Sequence, residues 1–150
     1  MSKTCIFTIL LALASCLASC SSGKDKDDIE ATVTQFATQY FGCHYAEAAK
    51  LCTAESEQWI RFVASNVSDS DLVVLNASQD QMQFEVDNID FTGDSTAVVT
   101  LKAYNILDMN KIGATASVSE QSTFDFTLEC HNGAWKVKLD NVPTPQRESK

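Results

Sequence analysis

Apolar residues return every three or four positions from Ile29 to Val63, and every second position over most of the stretch from Met82 to Leu139. The first spacing lines one face of α-helices, the second one face of β-strands. Asp27 stands three residues ahead of Glu30, a capping-box spacing. Ile29, Val33, Phe36, Ala37, Tyr40 and Phe41 then predict a first helix, which Gly42 ends. A short second helix is predicted from His44 to Cys52, with Tyr45, Ala48, Ala49 and Cys52 on one side. Thr53 can cap a third, whose apolar face is Trp59, Ile60, Phe62 and Val63 and which ends at Asn66. Residues 66–81 are polar apart from Leu72 to Leu75, and fit a loop and a short helix equally.

After Gln81 the period becomes two. Met82, Phe84 and Val86 alternate, the phase slips by one residue, and Ile89 and Phe91 continue, which predicts a bulge near Asp87-Asn88. Thr92-Gly93-Asp94-Ser95 is a turn. Ala97, Val99, Leu101, Ala103 and Leu107 form the inner row of a second strand. A connection around Gly113 leads to a long strand bearing Val118, Phe124, Phe126, Leu128 and Cys130. Asn132-Gly133 is a two-residue hairpin signal, and Trp135, Val137 and Leu139 face inward on the last strand. Helices followed by an antiparallel meander make an α+β fold. Because bulges curve sheets, we expect N-terminal helices packed on a curved four-stranded antiparallel sheet that encloses a cone. Residues 143–150 read as a disordered tail.

The start of the chain obeys a different logic. Lys3 and the apolar run Ile6–Leu17 have the layout of a secretory signal, and the run is too short to span a bilayer. It ends in a doubled tetrapeptide, Leu13-Ala14-Ser15-Cys16 and Leu17-Ala18-Ser19-Cys20. Small residues leading into a cysteine resemble the lipobox of bacterial lipoproteins. That resemblance implies diacylglycerol on the cysteine, cleavage just before it and acylation of the new amino terminus. Both copies fit the pattern. Cys20 is preferred, because anchoring at Cys16 would keep Leu17 and Ala18 in the mature chain, whereas polar Ser21-Ser22-Gly23 follows Cys20 directly. Residues 1–19 are then a signal peptide, 20–27 a lipidated tether and 28–142 the folded domain. By the same resemblance, Ser21 after the cysteine avoids inner-membrane retention. Lys24-Asp25-Lys26-Asp27-Asp28 is similar to the surface-export signal of Bacteroidota-type lipoproteins. The expected location is the outer membrane, on its periplasmic or surface-exposed face.

A formal charge of −9 excludes nucleic-acid binding by counterion release. It also opposes adhesion to an anionic bilayer, so the lipid anchor is the expected attachment. Of six cysteines, Cys5, Cys16 and Cys20 belong to the signal and lipobox, leaving Cys43, Cys52 and Cys130, an odd number that cannot all pair within one chain. Cys52 and Cys130 are the better-placed pair for a disulfide; two buried thiols are the alternative.

Three helices, the segment Tyr45-Ala46-Glu47-Ala48-Ala49, four strands and a closing Asn132-Gly133-Ala134-Trp135-Lys136-Val137 together resemble the nuclear transport factor 2-like cone. More narrowly, they resemble small lipoproteins of unknown function that carry this cystatin-like cone, some once labelled lumazine-binding. Enzymes on the cone, such as ketosteroid isomerases and epoxide hydrolases, need acids or an acid–arginine pair inside. Strand parity turns no such pair inward. Asn105 interrupts an apolar inner row, Glu120 shares the parity of Phe124 near the mouth, and Tyr40, Trp59, Phe62 and Trp135 are candidates to line the wide end. Cys43-His44 and Cys130-His131 suggest a metal, but adjacent strand residues face opposite ways, so no metal site and no cofactor is expected. Asp94-Ser95-Thr96 resembles the O-glycosylation sequon of Bacteroidota-type exported proteins, with Ser95 as acceptor. The expected function is non-enzymatic binding of a small apolar ligand, a peptide or a protein partner. A cone-pocket isomerase or hydrolase built around Tyr40, Asn105 and Glu120 is the alternative, and a structural homodimer formed through the sheet is the third reading.

Overall fold

The computed structural model of the protein describes residues 22–108, 114 and 116–147. The expected signal peptide and Cys20 lie outside the described residues, as do Gly113 and residues 148–150. Among the described residues no helix is long and apolar enough to cross a membrane.

Helix α1 spans Ser22–Phe41, so it begins ahead of Asp27, which lies inside the helix rather than at its cap. A contact remote in sequence accounts for the early start. Asp25 is only 7% exposed, and the indole Nε1 of Trp135 donates to its Oδ1 at 3.4 Å. The stretch read as a tether is therefore partly helix, docked on the domain. Ile29, Val33, Phe36, Ala37, Tyr40 and Phe41 are buried, as their spacing predicts. At the other end the His44 N–H donates to the Gln39 carbonyl and the Cys43 N–H to the Tyr40 carbonyl. That is a Schellman closure with Cys43, not Gly42, in the left-handed position at φ 59°. Gly42 is needed for a different reason, since a Cβ there would stand 2.7 Å from the Thr38 carbonyl oxygen.

Helix α2 (Tyr45–Lys50) and a 3-10 turn (Ala54–Ser56) lead into α3 (Glu57–Ala64). The undecided stretch is helix α4 (Asp69–Ser78), followed by a 3-10 turn (Gln79–Gln81). Ser68 and Asp71 form a reciprocal capping box at its start, and these hydrogen bonds hold the Asp71 carboxyl below its ordinary pKa. Leu75 is buried while Val73 is exposed, so the apolar run never settles on one face.

Strands β1 (Gln83–Gly93), β2 (Thr96–Leu107), β3 (Val118–His131) and β4 (Ala134–Lys138) form one antiparallel sheet in that order. The fold is α+β, as the sequence predicts. The register shifts between Val86 and Asn88, where the slip in phase was read, and again between Phe91 and Gly93. Asn132 and Gly133 both have positive φ, the backbone of a type I′ hairpin. Phe36 and Val33 of α1 meet Val99, Leu101, Phe126, Leu128 and Val137 of the sheet in one core.

Two segments cover the outer edge of the sheet. Leu51 to Thr53 run beside β4, where the Val137 N–H donates to Leu51 and the Thr53 N–H to Val137, at 2.8 and 2.9 Å. This placement rules out a Cys52–Cys130 disulfide and leaves its alternative, two free thiols. Cys130 pairs across β3 and β4 with Trp135, so β4 runs between the two cysteines. Two strand spacings come to about 10 Å, beyond the ~7 Å reach of a disulfide. Cys52 is a free thiol that donates to the Ala48 carbonyl, and burial pushes its pKa up to about 12. Further along, β4 stops opposite Thr127, and the edge of β3 is met by residues 143–147. These residues were expected to be disordered. Instead the Gln146 N–H donates to the Thr123 carbonyl at 2.7 Å, and Nε2 of Gln146 donates to Oδ2 of Asp125 at 2.6 Å.

Candidate functional site

The domain opens at the C-terminal end of α1. Its last turn supplies Tyr40 and Phe41, the end of β2 supplies Ile106, Leu107 and Asp108, and the start of β3 supplies Ser119, Ser122 and Phe124. Pro143 and Pro145 complete a cleft of about 220 Å³.

Beneath it the cone is filled. Phe36 stacks on Tyr40 and meets Phe126 edge-on, with centroids 5.4 Å apart in both pairs. Phe41 lies 5.1 Å from Phe124, which stacks on Phe126 at 6.0 Å. The cleft therefore has an aromatic floor and a rim of hydroxyls with one carboxylate. Ser119 and Ser122 share a hydrogen bond at 2.9 Å between their hydroxyls. Burial raises the Tyr40 phenol far above its ordinary pKa, and the nearby Cys43 and Cys52 add to the effect, so Tyr40 presents a neutral hydroxyl.

Tyr40 is where the sequence placed it, at the open end, but the other five expected lining residues are elsewhere. Trp135 is buried beside Asp25 and 6.2 Å from Phe91. Asp25 and Tyr40 are fifteen residues apart on one helix, about 22 Å, so Trp135 and Tyr40 cannot line one cavity. Trp59 packs half-buried against the core, whereas Phe62 is 48% exposed. Asn105 has a left-handed backbone, φ 55°, which breaks the alternation so that Ile106 and Leu107 are both buried. Its side chain donates to the Gln81 carbonyl at 3.0 Å. Glu120 is exposed on β3 and does not line the cleft.

The residues that parity missed, Asp108, Ser119, Ser122, Pro143 and Pro145, sit at strand ends or in the segment read as a tail. Asn105 was the available signal, because asparagine is one of the few residues that tolerate a left-handed turn inside a strand.

A wider, shallower groove of about 410 Å³ runs between α1, the Gln79–Gln81 turn and β1. Its lining mixes the amides and hydroxyls of Thr34, Thr38, Gln39, Gln79 and Gln83 with the side chains of Met82 and Phe84. Among the described residues no three of His, Cys, Asp and Glu gather into an arrangement able to hold a metal ion. His131 bonds Glu129 instead, at 3.1 Å. Ser95 lies exposed in the β1–β2 turn, and its carbonyl accepts the Cys130 N–H.

No protein-family model and no curated protein matches the chain. Among solved structures it is similar to an NTF-2-like protein of unknown function from Shewanella oneidensis MR-1. The two share 10% identity and a TM-score of 0.52, over 75% of this chain and 93% of that one. At that identity the likeness carries the architecture and no activity: the chain has the nuclear transport factor 2-like fold, helices on a curved four-stranded sheet, with its opening at the Tyr40 end.

Proposed function

We propose that this is a lipoprotein of the bacterial outer membrane, anchored through Cys20, whose domain binds one small apolar group of a partner molecule and catalyses no reaction. The observation that carries the binding reading is the cleft itself. Its volume of about 220 Å³ is below the ~300–1,000 Å³ of pockets that enclose whole small ligands, and it suits a single side chain or a group of similar size. Its floor supplies apolar contact, and Tyr40, Ser119, Ser122 and Asp108 supply polar contacts at the rim.

In sequence Cys20 stands just ahead of Ser22, where α1 begins, and the cleft lies at the other end of this helix, which rises about 30 Å over its 20 residues. Anchored at Cys20, the domain holds its open end away from the bilayer. Ser95 belongs to the exposed β1–β2 turn, which suits an O-glycan.

Two measurements test this reading. Mass spectrometry of the processed amino terminus should find acyl chains on Cys20, and Cys20→Ala should release the protein from membranes. A photoreactive residue at Ser122 should crosslink a partner on intact cells, whereas one at Glu47, on an exposed face of α2, should not. An unmodified Cys20 sinks the anchor, and equal labelling from both positions sinks the cleft.

A second reading, a cone-pocket isomerase or hydrolase, draws on the shared placement of Tyr40 and Asp108 in one cleft rather than on Asn105 or Glu120. Turnover that survives Asp108→Asn unchanged would remove it.

A further inference from the structure

We infer that residues 142–147 form a displaceable strap that fills, within the chain, the place of an extended proline-bearing segment of the partner. The inference rests on the binding reading of the cleft and names what the cleft accepts. Both prolines of the chain, Pro143 and Pro145, line it. Thr144 and Gln146, between and after them, are exposed. The strap thus alternates as a strand does, with one face to the cleft and the other to water.

Its position continues the line of β4 along β3. Odd-numbered residues of β3 turn their backbone groups toward this edge, and Thr123 accepts the Gln146 N–H there. The fastening is slight. Pro143 and Pro145 are out of phase with Gln146 and turn their backbone away from β3, so Thr144 and Gln146 are the strap's two positions in phase to donate to it. Among the described residues the single backbone bond between the strap and β3 is Gln146 to Thr123, supported by the exposed Gln146–Asp125 contact.

A competing segment that keeps apolar side chains at i and i+2 would meet the same floor. Seated more closely, with the position equivalent to Thr144 also paired, it would add a ladder bond to β3 that the strap does not make. The chain carries −9, and the strap ends in Arg147, so a basic residue after the second proline completes the expected motif.

The test is fluorescence anisotropy with a labelled peptide of residues 141–147, Asn-Val-Pro-Thr-Pro-Gln-Arg, titrated with detergent-solubilised full-length protein. Gln146→Ala removes the side-chain bond to Asp125 from an exposed site and leaves the core untouched. The variant is expected to bind the peptide about twofold more tightly than the unaltered chain, the size of effect for losing one exposed hydrogen bond. Ser122→Trp, which fills the cleft, is expected to abolish binding in both backgrounds. Equal affinity with and without Gln146→Ala overturns the strap. No binding to any form overturns the peptide as occupant. A concentration-dependent dimer that forms in place of peptide uptake assigns the site to a second copy and also overturns it. A small apolar dye added in parallel separates these failures from failure of the cleft, because dye uptake blocked by Ser122→Trp leaves the binding reading standing.

Discussion

The two covers on the outer edge of the sheet differ in kind. Leu51 to Thr53 grip β4 with two reciprocal backbone bonds through Val137, and buried Ser56 secures the same corner by accepting the Leu139 N–H at 2.8 Å. Residues 143–147 hold β3 with one backbone bond and two proline rings. The first cover closes over a filled interior near Trp135, Val137 and Cys52. The second closes over a cleft. An edge can be covered permanently or provisionally, and the number of backbone bonds the covering segment makes with the edge decides which.

The comparison breaks most easily at the core. Trp135→Ala is expected to cost about 3–5 kcal/mol in urea unfolding, the range for deleting a buried aromatic, and it also strips Asp25 of its partner. Phe124→Ala, at the cleft wall, should fall at or below the low end, about 3 kcal/mol, because water already reaches the space it vacates. A larger loss for Phe124 than for Trp135 would mean that the open end is not open.

Next comes Ser56→Ala, which leaves the buried Leu139 N–H without its acceptor. A loss of about 2 kcal/mol is expected, against less than about 0.5 kcal/mol for exposed Gln146→Ala. Similar losses at the two sites would erase the distinction between the covers.

Alkaline pH sharpens it further. Cys52 has its pKa raised from 9.0 to about 12, chiefly by burial, so the unfolded chain loses this proton first. Its contribution is fully present below the ordinary thiol range and is lost as pH rises through it toward about 12. Tyr40 and Tyr45, also raised by burial, add their loss above 10.0. Cys43, whose thiol burial also raises, adds to the same range. The urea midpoint should therefore decline from about pH 9, and Cys52→Ala should make the decline shallower below the tyrosine range, leaving the part due to Cys43. An unchanged slope in Cys52→Ala would remove Cys52 as a cause.

The smallest effect is a gain. Cys43 occupies the left-handed closing position of α1, so Cys43→Gly should stabilise by about 0.5–1 kcal/mol, net of its 3.4 Å contact with the Tyr45 hydroxyl. Destabilisation would show that the Tyr45 contact outweighs the backbone strain.

Much of the fold was legible because periodicity is a local property. Ile29, Val33, Phe36 and Phe41 announce a buried helical face, and the slip at Asp87-Asn88 announces a bulge. Helix α4 was not legible, because Leu72 to Leu75 run consecutively and show no period; Ser68 and Asp71 at capping-box spacing were its available mark. Of the residues the sequence offered for the wide end, Tyr40 was found in the lining of the cleft. Trp135 was not, since its aromatic character suits a pocket and a core equally, and its place is set by Asp25, 110 residues away.

The sequence by itself determined the order of helices and strands, the α+β class and the curvature of the sheet, because hydrophobic period and turn chemistry act over a few residues. Tertiary structure alone decided where the domain opens. Tyr40, Asp108, Ser122 and Pro143 come from four separate segments, and their meeting depends on where β4 stops and on the left-handed turn at Asn105. No local pattern encodes a cavity, since a cavity is the space left where distant elements fail to fill one another.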